Sequence, residues 1–165
     1  MRRTINQQGL PYLITGSLVA LLLGIIVTIL IPALNAPGPT SPARAYTSQE
    51  LRGRQIYRRE GCWYCHTQQV RAPEAGLGTV QVRGDIGPES LAGDYVFQKP
   101  VFWGTERQGP DLSHVAARPY GSAKEWHIIH LKNPQAVSPG SIMPAFAHLP
   151  DDELEALAAY LLTLK

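Results

Sequence analysis

The chain has 165 residues, room for one modest domain and an appendage but not for two large domains. Its formal net charge is only +2, and setting Arg2 and Arg3 aside leaves 13 basic residues against 13 acidic. With no basic stripe, no finger spacing and no helix-turn-helix pattern, nucleic acid is excluded as a partner. The 15 glycines and 14 prolines predict a loop-rich body, and two cysteines are too few for a disulfide framework.

No charged residue occurs between Thr4 and Ala43, and Leu10 to Leu34 is almost wholly apolar. About 20 apolar residues in a helix cross a bilayer core of roughly 30 Å, so this run predicts a transmembrane anchor over residues 1–35. Pro11 suits a first helical turn, Pro32 falls near the far end, and Tyr12 suits the membrane interface. Ala43-Arg44-Ala45 resembles a cleavage site, which supports the alternative of a removable signal peptide. The run is longer than a signal core and ends well before Ala43, which favours an uncleaved anchor. Arg2 and Arg3 hold the N-terminus in the cytoplasm, so either reading exports the rest of the chain.

Residues 36–46 form a Pro-rich, extended linker, and a folded domain is expected over residues 47–165. Thr47 to Glu50 reads as a capping box opening a helix to about Glu60, with Leu51, Ile56 and Tyr57 as apolar contacts. Arg52, Arg54, Arg58 and Arg59 on that helix read as a solvated face. A short helix is expected near Ala123 to Lys132, and a longer one over Asp151 to Lys165. Asp151 or Asp152 would cap the last helix, and Leu154, Leu157, Ala158, Leu161 and Leu164 would form its buried face. No strand pattern is convincing, and Val80–Val82 and Tyr95–Phe97 are short strands at most.

The chemistry lies in Cys62-Trp63-Tyr64-Cys65-His66. Thiols three apart reach the two vinyl groups on one edge of a haem, and the adjacent histidine then supplies the proximal iron ligand. A redox dithiol would need a preceding strand in a βαβ setting. Zinc would need further ligands from His114, His127, His130 or His148. Haem c on Cys62 and Cys65, with His66 on the iron, is the expectation.

Apart from the initiator, Met143 is the only methionine, and it sits in a loop before the last helix. A thioether sixth ligand raises the potential and suits an electron carrier, so Met143 is the expected axial partner of His66. The alternatives are core packing for Met143, or a second histidine ligand from His114 or His148. His127 and His130 read as surface or interface residues. A proximal histidine normally donates its second ring N–H to a carbonyl, and Pro110 in Gly109-Pro110-Asp111-Leu112 is the candidate acceptor.

The order helix, C-x-x-C-H, G-P-x-L, M-P, acidic helix resembles class I cytochrome c from about Thr47 to Lys165. Gly53, Tyr57 and Tyr160 match the positions where that family's first and last helices cross. The resemblance implies a mainly α, class I cytochrome c-like haem domain. A closer similarity joins Gly61 to Arg71, Ala92 to Phe97, Phe102-Trp103-Gly104, Gly109 to Leu112 and Trp126 to Pro134, followed by Pro139, Met143 and Pro144. These segments resemble subunit II of cbb3-type cytochrome c oxidase, as do the N-terminal helix and the long insert at about 67–108.

That resemblance implies a mono-haem relay in the inner membrane of a bacterial cell, with its haem domain on the periplasmic side and membrane lipid around its anchor. Electrons would arrive from a di-haem cytochrome c subunit or a soluble cytochrome c. They would leave for a catalytic subunit holding haem b and copper, where oxygen is reduced. The chain would be part of an oxidoreductase complex without catalysing the reaction itself. Glu89-Ser90 stands where relatives carry an aromatic-Ser pair, so no calcium contact is carried over. The competing readings are a free-standing anchored cytochrome c shuttle and the cytochrome c subunit of nitric oxide reductase.

Overall fold

The computed structural model describes residues 9–41, 43–72 and 87–165. The segment Val80–Val82 and the arginines at positions 2 and 3 lie outside them. The chain divides into two compact units, Met1–Gly38 and Pro39–Lys165.

The first unit is a helix, α1, over Gly9–Leu34, with 26 residues and a mean hydropathy of 2.7. At 1.5 Å per residue it is about 39 Å long, enough for a bilayer core with tilt to spare. Ile26–Leu30 forms a wider π turn, in which Ile31 N donates to Ile26 O. The turn stands just before Pro32, whose ring would crowd the Thr28 carbonyl in a regular helix. The Thr28 hydroxyl bonds back to Gly24 O at 2.6 Å.

In the second unit, α2 covers Ser48–Arg59 and opens on the expected capping box. Thr47 Oγ1 accepts from Glu50 N at 3.3 Å, and Glu50 Oε2 accepts from Thr47 N at 2.7 Å. Gly61, at φ 72°, turns the chain out of α2 in a conformation other residues rarely adopt. The next helices are α3 (Lys124–Lys132), α4 (Pro134–Val137) and α5 (Asp151–Leu161). No strand occurs among the described residues, as the absence of a convincing strand pattern in the sequence leads one to expect, and a 3-10 turn covers Ala92–Tyr95. A single extended segment with no partner strand leaves its ladder unpaired, and a turn satisfies it locally.

The crossing of α2 and α5 organises the domain. Gly53 lies against the Ala156 carbonyl and Tyr160, and a Cβ at this glycine would collide with both. Tyr57 and Tyr160 meet edge to face beside the crossing, with ring centroids 5.5 Å apart, and Phe102 packs on Tyr57 at 5.3 Å. Ile56, Leu131, Leu154, Leu157 and Leu161 complete the core. Each such side chain contributes roughly 1.5–3 kcal/mol when fully buried.

Three expectations about these helices need correction. Leu51 is exposed, because the crossing places Gly53, Ile56 and Tyr57 on the buried face and turns Leu51 away. Arg54 is buried: its guanidinium lies over the Phe102 ring at 4.3 Å and donates to Lys99 O and Pro100 O. The cap of α5 is Pro150, without a side-chain bond. Its acids pair instead with bases on the neighbouring helices. Asp151 meets Lys132 at 2.7 Å, Asp152 meets Arg52 at 2.6 Å, and Glu153 meets Arg59.

The ends of the 67–108 segment belong to the core. Thr67, Gln68, Val70 and Phe102 are buried. Gln68 N donates to Phe102 O and Trp103 O, each at 3.2 Å, and Ser90 N donates to Val70 O at 3.0 Å.

Candidate functional site

The cysteine motif follows Gly61 as a 3-10 turn over Cys62–Tyr64. His66 N and Cys65 N both donate to Cys62 O, at 3.0 and 3.2 Å, which winds the three side chains into one tight turn. The His66 Nδ1 lies 2.7 Å from Pro110 O, so this nitrogen carries the proton and donates it. Nε2 is left as the nitrogen available to a metal. Gly109 N donates to Cys65 O at 2.9 Å, and a side chain at Gly109 would strike the His66 ring. Glycine is therefore required where this loop passes the imidazole.

Cys62, Cys65, His66, Pro110 and Met143 line a single cavity of about 810 Å³. Pockets that enclose a ligand the size of a cofactor run from about 300 to 1,000 Å³. Its walls are largely apolar and include Leu112, Val115, Leu131, Leu157 and Leu161. Met143 is half-buried and packs against the core, with Met143 N held by Ser141 Oγ at 3.2 Å. A haem fits this donor set: paired thiols, a histidine whose other nitrogen is committed, a thioether and an apolar wall.

Electrostatics favour the neutral donors. Burial pushes the His66 ring below its usual pKa, against the opposing Pro110 bond, and a neutral imidazole is the metal-binding form. Burial pushes the Cys62 thiol up to about 12, far from the lowered values of reactive thiolates, which weakens the redox dithiol reading. Among the described residues, no group of three His, Cys, Asp or Glu side chains could hold a metal ion, which weakens the zinc reading.

The candidate second histidines fall elsewhere. His114 lines a separate polar pocket of about 70 Å³. His148 is exposed and meets Glu60 at 3.1 Å. By contrast, His127 and His130, read from sequence as surface or interface residues, both line the large cavity. His127 is buried and its Nε2 lies 2.7 Å from Gly121 O. His130 stacks on Trp126, with ring centroids 4.8 Å apart. Their helical spacing holds the missed signal. Trp126 and His130 are one turn apart, as are His127 and Leu131, so α3 presents two faces to the interior.

A helical frame crossed at Gly53, a C-x-x-C-H turn and a large apolar cavity define a cytochrome c domain, preceded here by a helix long and apolar enough to span a membrane. The chain belongs to the family described as cytochrome C oxidase, mono-heme subunit/FixO, whose model matches residues 3–163. It is thus a mono-haem cytochrome c subunit of the cbb3-type oxidase, as the sequence resemblance implies, and a component of an oxidoreductase complex. None of the curated proteins compared with the chain matches it.

Proposed function

We propose that this chain is an anchored electron relay feeding the catalytic haem b and copper subunit of its oxidase. Cys62 and Cys65 would hold the haem edge as thioethers, and His66 and Met143 would be the axial ligands. A haem bound here supplies reversible one-electron chemistry. The residues around it do the rest. Pro110 orients His66 and makes it a stronger donor to ferric iron. Met143 favours the ferrous form, and the apolar wall excludes water. With His66 and Met143 both given to the iron, no open site would remain for a substrate, so the chain itself would not be catalytic.

The observation that carries this reading is the convergence of Cys62, Cys65, His66 and Met143 on one apolar cavity, with Nδ1 of His66 bonded to Pro110. We assign residues 1–35 as the anchor, 36–46 as the linker and 47–165 as the haem domain, with its insert at about 67–108. The N-terminus would lie in the cytoplasm and the haem domain on the periplasmic side of a bacterial inner membrane. The donor would be a di-haem cytochrome c subunit or a soluble cytochrome c.

The test is to purify the tagged protein gently from its native membrane. Metals, pyridine haemochrome spectrum and oxygen uptake are then measured. Haem c together with haem b and copper, and cyanide-sensitive oxygen uptake, is the expected result. Haem c alone, with no partner chain after crosslinking, would overturn the relay to an oxidase and leave a free-standing shuttle.

A further inference from the structure

Asp111 directly follows the acceptor of the His66 ring and is fully buried, at 0% exposure. Its Oδ1 accepts from Ser113 N at 2.7 Å. Its Oδ2 accepts from the Thr67 hydroxyl and from Gln69 N at 3.0 Å, and lies 3.4 Å from Arg107 Nη2. Thr67 is the residue after His66. Arg107 also donates from Nε to Thr67 Oγ1 at 2.6 Å and from Nη2 to Gln69 O at 2.7 Å. The carboxylate thus joins the segment that leaves His66 to the turn that carries Pro110.

The backbone already ties these two segments together. Gly109 N bonds to Cys65 O at 2.9 Å and Leu112 N to Thr67 O at 2.8 Å. Burying a carboxylate costs several kcal/mol, offset here by donation from Ser113 N, the Thr67 hydroxyl, Gln69 N and Arg107. Asp111 adjoins Pro110 in sequence and bonds to Thr67, the neighbour of His66.

We propose that Asp111 is the positioning residue of the proximal histidine: acting through Thr67, it holds the His66 ring on the Pro110 carbonyl and so sets the haem potential. This rests on the reading of His66 as an axial ligand. Two effects share one sign. A well-aligned Nδ1–H bond makes the imidazole a stronger donor, which favours ferric iron. A buried negative charge also favours the more positive, oxidised centre. Loosening the bond or removing the charge must raise the potential.

The experiment uses the full-length, haem-loaded protein in detergent and compares wild type with Thr67→Val, Thr67→Ser and Asp111→Asn. Reduction potential is titrated spectroscopically, and solvent exchange of the His66 Nδ1 proton is followed by NMR. Thr67→Val leaves every charge in place. It should raise the potential and speed exchange by about tenfold or more, because the bonds of the Thr67 hydroxyl to Asp111 and from Arg107 are both lost. Thr67→Ser keeps the hydroxyl and should match wild type. Asp111→Asn should exceed Thr67→Val in both readouts; if it does not accumulate, the threonine pair decides alone. Wild-type potential and exchange in folded Thr67→Val would overturn the proposal and leave Asp111 a structural residue. Absence of covalent haem from wild type, seen separately in a pyridine haemochrome spectrum, would overturn the ligand reading beneath it.

Discussion

Met143 and His127 act on the cavity in different ways. Met143 is half-buried against the core, so its truncation removes a contact as well as a donor. Met143→Ala should retain covalent haem, because Cys62 and Cys65 are untouched. Its potential should fall by a sizeable part of the ~0.8 V that axial ligands span, and the iron should bind carbon monoxide. A redox titration and a carbon monoxide difference spectrum check both points, and an unchanged potential would remove Met143 from the iron. His127 contributes to the loss of stability expected in acid. Burial lowers its pKa from the usual 6.5, against the opposing Gly121 bond. Its neutral form therefore belongs to the folded state. Above pH 6.5 it is neutral in both states and costs nothing. As pH falls below that value the unfolded chain takes up the proton first, and stability drops until the folded pKa is passed. Burial likewise lowers His130, to about 4, which adds a second contribution of the same sign. Urea midpoints at about pH 7 and 5 should therefore fall more for wild type than for His127→Gln. Equal losses would count against the assignment.

At the scale of elements, the α2–α5 crossing is the most sensitive feature. On an open helix surface, Gly→Ala stabilises by up to about 1 kcal/mol. At Gly53 the added Cβ would meet the Ala156 carbonyl and Tyr160. Overpacking of this kind costs about 1–3 kcal/mol, so the sign reverses. Gly53→Ala should lower the thermal midpoint of the haem domain, whereas Gly53→Ser and Gly53→Val should lower it progressively further. A midpoint at or above wild type for Gly53→Ala would mean that the helices do not cross here. The charged residues flanking this crossing are a different matter. Arg52–Asp152 is an exposed pair, screened by water, and such pairs contribute little to stability.

At the scale of the whole molecule, the chain divides into units Met1–Gly38 and Pro39–Lys165. The core, the cavity and the C-x-x-C-H turn all lie in the second unit. A chain starting at Pro39 behind a cleavable export signal should therefore mature with haem c and stay soluble. Spectra matching those of the full-length protein are expected, with loss of copurification with the oxidase. Failure to take up haem would mean that the anchor is needed for maturation. Intact mass of the native protein tests the anchor itself. A chain retaining the residues before Ala43 is the expected result, and one beginning after Ala45 would make the apolar helix a removed signal.

What could be read from sequence alone was chemistry packed into a few neighbouring positions. The C-x-x-C-H turn, the Thr47–Glu50 capping box and the apolar α1 each depend on residues within a turn or along one continuous run. Pro110 as partner of His66 was also legible, because the G-P-x-L turn stands between the cysteine motif and Met143. The tertiary structure decided what depends on distant pairs. Arg54 reads as one more solvated arginine until Phe102 is folded over it, 48 positions along the chain. His127 and His130 read as surface residues until α3 packs against α5 and turns them into the cavity. Asp111 meets Thr67 across 44 residues, and neither residue type predicts the other. Local patterns record the preferences of the backbone. Which buried charge meets which donor is settled only when loop closure brings remote segments together, and that geometry tunes the site.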